Sequence, residues 1–455
     1  MISVQSRLRA ALPSGTVPRG MMASASNFAG STSAVRAPAP LARRQGRRPT
    51  ARRAVRVRAA SRDSRLPLGV DATFDGTGKT VLITGASSGI GLEAAKQMCA
   101  TGCHVLVTAR SAEKARAAAE EVAAHAGTRG GGAEPVVMDL GRLAGVRAFA
   151  ERFRRRGVAL DAVVCNAGVA PDRAGNRVSA RGAPRRTRDG FEETIGVNHL
   201  GHFALVRDLL PCMRRGSRVV VTSSCVHDPT SPDGRNGATP TLGDLAGMRA
   251  GVSFSMCDGG AFDGNKAYKD SKLCGVLFAR ALARRVEAAG VVVNAFSPGF
   301  VPSSGLFRLQ SAPVRAMLKF MFDHPPLATS MENAGRFTTQ MALGKNTGEI
   351  TGAYLCGPPS FDVPGEDAHP LGGGFLRGWF RPEFGVKRPS EEALDAALGE
   401  KLWEVSERLV EEACARERKG VSNVITFTPA REEARARERK AGKDSAAAAV
   451  PASSR

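Results

Sequence analysis

The chain has 455 residues, 42% of them hydrophobic and 5% aromatic, and a formal net charge of +22. That apolar share is enough for a globular core, and the length allows one large domain with extensions or two domains. The charge does not point to nucleic acid: residues 1–62 carry 13 arginines, no lysine and no acid, and without those 13 the balance of +22 falls to +9. That remainder is spread along the chain with no nucleic-acid-reading motif. Nine cysteines, an odd number with no CxxC, argue against a disulfide framework or a zinc site. His199 and His202 share a helical spacing without a third ligand beside them, so no metal is expected. No run of about 20 apolar residues is present to span a membrane.

The Arg-, Ser- and Ala-rich start has the composition of an organelle transit peptide, expected to be disordered over residues 1–60 and processed near Ala59 and Ala60. A retained basic arm has the same composition. A chloroplast is the first expectation and a mitochondrion the alternative. From Lys79 the pattern changes. "KTVLIT" (79–84), "CHVLVT" (103–108), "PVVM" (135–138), "LDAVVC" (160–165), "RVVVT" (218–222) and "VVVNAF" (291–296) read as buried strands. Amphipathic stretches at 89–100, 111–125, 143–156 and 265–288 alternate with them. The fold class expected is therefore α/β, a doubly wound parallel sheet in a single domain over 61–425. Three stretches interrupt the alternation, at 171–189, 226–264 and 302–345. The last two flank the chemistry and are expected to act as lid insertions. The charged, low-complexity tail over 426–455 is expected to be disordered.

"TGASSGIG", Thr84 to Gly91, follows the first strand and opens a helix. Gly85, Gly89 and Gly91 allow a tight turn and close approach of backbone to a pyrophosphate, whose charge suits a helix N-terminus. The second strand ends at Arg110, where an acid would pair with a ribose 2′-hydroxyl and an arginine suits a 2′-phosphate; NADP is favoured over NAD, with Lys114 assisting. Asp139 ends the third strand near the expected adenine. Asn166, Ala167 and Gly168 place small residues at the end of the fourth.

Only two tyrosines occur, Tyr268 and Tyr354, and Tyr268 precedes Lys272 by one helical turn in "DGGAFDGNKAYKDSKLCG" (258–275). On its own this is equally the spacing of a surface phenol and a solvated lysine. With an ammonium on the same face, the phenol pKa is expected to fall.

In this order the motifs resemble the short-chain dehydrogenase/reductase family over about residues 78–300. The resemblance rests on TGxxxGIG, NAG, the Asn of "GVNHLGH", a Ser after the fifth strand, and YxxxK. It implies a catalytic tetrad of Asn198, Ser224, Tyr268 and Lys272. Tyr268 would donate the proton and Lys272 would lower its pKa and hold the nicotinamide ribose. Ser224 would orient substrate or phenol, and Asn198 would hold a relay water. It also implies NADPH as cofactor, held by Gly85, Ser87, Ser88, Gly89, Ile90, Gly91, Arg110, Lys114, Asp139, Leu140, Asn166, Ala167, Gly168, Tyr268, Lys272, Pro298 and Gly299.

"DGGAFDGNKAYKDSKLC" further resembles the active-site segment of light-dependent protochlorophyllide reductases, as do "TLGDLAG" (241–247), "SPGFVPSSGLFR" (297–308) and "KLWEVSERLV" (401–410). This resemblance implies reduction of a porphyrin ring double bond, with hydride from NADPH and a proton from Tyr268, started by a photon that the pigment absorbs. Cys274 matches a cysteine of that family's pigment site; a buried apolar cysteine on a helix has the same signature. The chain departs from the pattern after Gly168, after Ser224, over 351–360 and over 313–345, all bordering the expected pocket. Two other readings accompany it. "YKDSKLCGVLFARAL" also resembles retinol-dehydrogenase-like enzymes, implying an NADP-dependent carbonyl or alcohol oxidoreductase on another bulky apolar substrate. The third is a non-catalytic NADP-binding plastid partner. Peripheral membrane contact through 302–345 and the basic loops is a further expectation. A homo-oligomer is another, from the family resemblance.

Overall fold

The computed structural model describes residues 58–59, 66–68, 71, 73–170, 184–301, 329–357 and 384–418. Most of the expected transit segment, most of the 171–189 loop, residues 302–328 and the 426–455 tail lie outside the described residues.

In chain order the strands are β1 (Arg58–Ala59), β2 (Leu66–Leu68), β3 (Thr80–Ile83), β4 (His104–Ala109), β5 (Gly132–Val137), β6 (Leu160–Cys165), β7 (Met213–Thr222), β8 (Val292–Ser297), β9 (Ile350–Thr351), β10 (Tyr354–Cys356) and β11 (Phe384–Lys387). The main helices are α1 (Gly89–Ala100), α2 (Ala112–Ala123), α3 (Leu143–Arg155), α4 (Gly201–Leu209), α5 (Gly264–Val286), α6 (Met331–Leu343) and α7 (Ala396–Arg418). Nine strands form one sheet in the order β2-β11-β10-β8-β7-β6-β3-β4-β5. The run from β5 to β10 is parallel throughout; among the described residues only β11 runs the other way, pairing antiparallel with β10 on one side and with the edge strand β2 on the other. The expected doubly wound α/β fold is present.

Continuous apolar strands follow from burial on both faces. Val81, Leu82 and Ile83 are fully buried, each stabilising the fold by about 1.5–3 kcal/mol. Alternate residues serve opposite layers. Val81, Ile83, Val105, Val107, Ala162 and Val164 pack with Ala94 and Met98 of α1, Val122 of α2 and Phe337 and Met341 of α6. Their neighbours Leu82, Leu106 and Val163, equally buried, point toward the layer of α3, α4, α5 and α7. α3 owes its start to a distant acid: the Asp189 carboxylate accepts from the Leu143 amide at 2.7 Å.

Strand order reverses between β3 and β6. In a doubly wound sheet the ligand crevice lies at that switch point, beyond the strand carboxyl ends. Thr84–Gly91 and Asn166–Gly168 occupy those two ends.

Three features extend the sequence-based expectations. β7 begins at Met213 rather than 218, because Gly216, with φ +86°, carries a polar arginine-rich entry past an irregularity in the register with β6. α7 runs 23 residues where the composition shows mainly alternating charge. Finally, Arg58–Ala59 pairs with Ile350–Thr351 in a separate two-stranded ladder, so the described fold reaches two residues into the 1–60 segment expected to be disordered.

Candidate active site

At the end of β3, Gly85 turns with φ +67°, and a Cβ there would sit 2.9 Å from the Ala167 Cα. A Cβ on Gly91 would lie 2.4 Å from Asn166 Nδ2 and 2.6 Å from the Gly85 carbonyl oxygen. Glycine is thus required at both places by close approach of backbone to the β6 end. Gly89 has φ +60°. Ser88 is the N-cap of α1 in extended conformation, its side chain makes no capping bond, and no acid stands in the first turn. Ser87, Ser88, Gly89 and Ile90 therefore surround a helix N-terminus electrostatically open to an anion.

Thr84 ties the two strand ends together. Its hydroxyl oxygen accepts from the Asn166 and Ala167 amides, both at 2.9 Å, and Asn166 Nδ2 donates to the Thr84 carbonyl at 2.9 Å. The same hydroxyl lies 2.8 Å from His202 Nε2, and His202 Nδ1 lies 2.9 Å from the Asn198 carbonyl. A carbonyl accepts only, so Nδ1 carries the proton and Nε2 accepts from Thr84. Burial lowers the His202 pKa to about 4, with the charge of Lys272 adding to the fall. His202 is therefore a neutral strut between the two halves of the site. The HLGH motif had raised it only as a metal ligand; a histidine within one turn of the expected Asn198 was the available signal.

Asn198 lies in a π-turn, Gly196–Leu200, that leads into α4. Its Oδ1 accepts from the Val169 amide at 2.8 Å, while Nδ2 donates to the Val169 carbonyl and to Ser271 Oγ, each at 3.0 Å. Ser271 in turn donates to the Tyr268 carbonyl at 2.6 Å. Asn198 is thereby bonded to the helix turn that carries Tyr268 and Lys272, through a serine that sequence reasoning passed over.

Asp263 caps α5 by accepting from the Asn265 and Lys266 amides. Tyr268 is half-buried and Lys272 is buried. The Lys272 ammonium stands 5.4 Å from the Tyr268 ring centroid and donates to the Thr222 carbonyl at 3.2 Å. The expected fall in the phenol pKa is not found. Burial, with a smaller contribution from Cys225, pushes Tyr268 above the usual phenol range, and burial lowers Lys272 to about 8. Desolvation is the largest cause of the shift in both groups. Near neutral pH the phenol thus holds its proton, as a donor must. Ser224 is the N-cap of the Cys225–His227 turn: its hydroxyl accepts from the Val226 amide at 3.5 Å and lies 3.9 Å from Cys225 Sγ.

Arg110 and Lys114 are exposed beyond the end of β4, beside the N-terminus of α2. Asp139 accepts from the Gly141 amide at 3.0 Å within its own turn, and Leu140 is buried against Gly201. Pro298 and Gly299, the latter with φ +83°, follow β8. Cys274 has the burial of the apolar helix cysteine that was the alternative to a pocket residue. It has no exposed surface, and its thiol pairs with that of Cys257, which is raised well above the usual thiol range by that hydrogen bond and by burial. It lies two residues past Lys272, where the helix turns inward.

The short chain dehydrogenase family model matches residues 79–233, covering the glycine turn, the β6 end, Asn198 and Ser224. The chain belongs to the short-chain dehydrogenase/reductase family and is a nicotinamide-dependent oxidoreductase. Its similarity to particular members runs further along the chain. It is 34% identical over 342 residues to protochlorophyllide reductase A, chloroplastic, of Oryza sativa subsp. japonica, covering 72% of this chain and 80% of that protein. It is 34% identical over 369 residues to the chloroplastic protochlorophyllide reductase of Cucumis sativus, covering 78% and 84%. Among solved structures, an uncharacterized protein from Mycobacterium paratuberculosis superposes with a TM-score of 0.51 at 25% identity, over 76% of this chain and 98% of that one.

Proposed function

We propose that the protein reduces a tetrapyrrole, protochlorophyllide, to chlorophyllide with NADPH. One ring double bond takes a hydride on one carbon and a proton from Tyr268 on the next, NADPH is oxidised to NADP, and light absorbed by the pigment starts the transfer. The observation that carries this reading is the reach of the similarity, 80% of the rice reductase's length, well past the 79–233 that the general family model covers.

The side chains support each part. Gly85, Gly89, Gly91 and the uncapped start of α1 suit a pyrophosphate, and the exposed Arg110 suits a 2′-phosphate, hence NADPH. Tyr268 keeps its proton at neutral pH, Lys272 stays cationic below about pH 8, and Asn198 is bonded through Ser271 to the turn that carries them. By the same reading, residues 1–60 address the protein to a plastid and 61–425 form the catalytic domain. Peripheral membrane contact and self-association belong to this proposal too.

The test uses the full chain, mixed in the dark with NADPH and protochlorophyllide. Absorption spectra taken before and after a flash should reveal a red-shifted product that depends on light and vanishes with Tyr268→Phe. NADPH binding without any pigment spectral change would refute the substrate. Turnover in an aldehyde and ketone screen would then favour a carbonyl reductase, and silence there a non-catalytic partner.

A further inference from the structure

The turn "KAYKDSK", residues 266–272, is polar at five of seven positions, the exceptions being Ala267 and the half-polar Tyr268, yet its middle is buried. Tyr268 and Lys272 serve the reaction, and Ser271 serves Asn198. That leaves Lys266, Lys269 and Asp270, which all face the segment that leaves the sheet at Ser224 and returns at Asp263.

Lys269 is only 5% exposed. Its ammonium donates to three backbone carbonyls: Gly234 at 2.8 Å, Asn236 at 2.5 Å and Ala238 at 2.9 Å. Three N–H donors meet three acceptors from alternate residues, so the group is satisfied without a carboxylate. Asp270 is fully buried one residue on. One of its oxygens accepts from the Thr241 amide at 3.1 Å and the other from Lys266 Nζ at 2.7 Å. Lys266 also donates to the Thr241 carbonyl at 2.8 Å and pairs with Asp258 at 3.0 Å. The next amide, Leu242, donates to Glu392 at 2.7 Å. The segment is thus tied at 234, 236, 238, 241, 242 and 258, mostly to the helix turn that carries the proton donor.

Buried charges of this kind add little to stability compared with well-packed apolar residues. What they do supply is a fixed path for a glycine-rich chain that otherwise has many. We propose that Lys269 and Asp270 are positioning residues that hold residues 234–242 as a preformed wall beside Tyr268, so that this side of the substrate pocket is rigid before substrate arrives. It is the alternative to the expected closing lid over 226–264. It rests on the reading of Tyr268 as proton donor and extends it to the selection of a bulky planar substrate by a standing surface.

Amide hydrogen exchange on the full chain without cofactor or substrate tests the wall directly. Thr241 and Leu242 amides should exchange at least about 100-fold more slowly than in an open chain, and adding NADPH or pigment should leave them unchanged. Fast exchange that slows only with pigment would mean a lid and overturn the proposal. Lys269→Met and Asp270→Asn should each speed exchange at both amides by about 10-fold. They should raise KM for protochlorophyllide by about 10-fold, with kcat and NADPH affinity held within about threefold. Lys269→Arg should not restore KM, because a planar fork does not reproduce three convergent donors. An unchanged KM, or a parallel loss of NADPH binding, would also overturn it. If either variant fails to fold, the exchange on the natural chain still decides. Slow exchange with no turnover of pigment would count against the substrate and leave the wall standing.

Discussion

The nucleotide side of the cleft, from Thr84 to Gly91 and from Asn166 to Gly168, is shaped by backbone approaching backbone. Gly85 lies against Ala167 and Gly91 against Asn166, with no room for a single methyl group at either. The opposite side, from Ser224 to Asp263, is shaped by side chains reaching across to carbonyls, as Lys269 does three times. A cofactor common to a whole family is served by a contour that only glycine permits, and that contour leaves its mark as a short motif. The segment proposed to face the substrate follows a path that depends on a few buried polar anchors, which leave a much fainter one.

The sharpest break between the two sides should come from the reacting pair. Tyr268→Phe is expected to lower turnover by about 10²–10⁴-fold and to leave NADPH affinity, read by fluorescence titration, within about twofold. Lys272→Met should lose turnover similarly but gain stability. The folded pKa of about 8 lies below the ordinary value of 10.5, so the unfolded chain binds the proton more tightly. Burial of the ammonium therefore costs stability below pH 8, and the cost fades as pH rises from about 8 to 10.5. Denaturant unfolding at pH 7 should place Lys272→Met about 1–3 kcal/mol above the natural chain, with the gap closing near pH 10. A loss of stability at pH 7 would mean that the bond to Thr222 outweighs desolvation.

On the nucleotide side, Gly91→Val should cost roughly 3 kcal/mol or more and abolish measurable NADPH binding, because one of the two colliding groups is backbone. Gly275→Ala, inside α5 and facing β7, is the control: among the described residues its new Cβ meets only Val221 Cγ1, at 3.4 Å, so thermal unfolding should move by no more than about 1 kcal/mol. A smaller effect comes from Arg110→Glu. Exposed at the end of β4, it should leave the melting temperature alone and weaken NADPH relative to NADH by about 10–100-fold, the reach of one charge-assisted contact. Equal loss for both nucleotides would separate Arg110 from the 2′-phosphate.

Much of the sheet could be read from the sequence because parallel strands buried on both faces are continuous apolar runs, as at Thr80–Ile83 and Leu160–Cys165. The edge was harder. β10 has three residues and β11 four, too short for any period to emerge. Of the candidate site, the glycines, Asn198, Tyr268 and Lys272 could be picked out because their spacing follows from the role proposed for each. Cys274 could not be placed, since a helix position facing a pocket and one facing Cys257 look alike until the neighbouring segment is folded. Thr84 and Ser271 were missed for a different reason. Each acts through two or three hydrogen bonds within the protein, and a lone hydroxyl has no sequence signature.

α7 tests whether the far end of the chain belongs to the site or only to its support. Its Ser406 Oγ lies 2.8 Å from His199 Nε2, and His199 is next to Asn198 in the π-turn. The other ring nitrogen, Nδ1, is buried with no partner among the described residues, while the ring packs edge-on to Phe278. Burial, with a smaller effect from His202, lowers the His199 pKa to about 3, so the imidazole is neutral throughout the working range. Ser406→Ala leaves both ring nitrogens without a partner, which should cost about 1–3 kcal/mol, equally at pH 6 and pH 8. If α7 is support alone, kcat at a temperature well below unfolding stays within about twofold. If the bond sets the π-turn, the Asn198 carbonyl shifts with it. His202 then loses its acceptor, and kcat falls several-fold while NADPH affinity is kept.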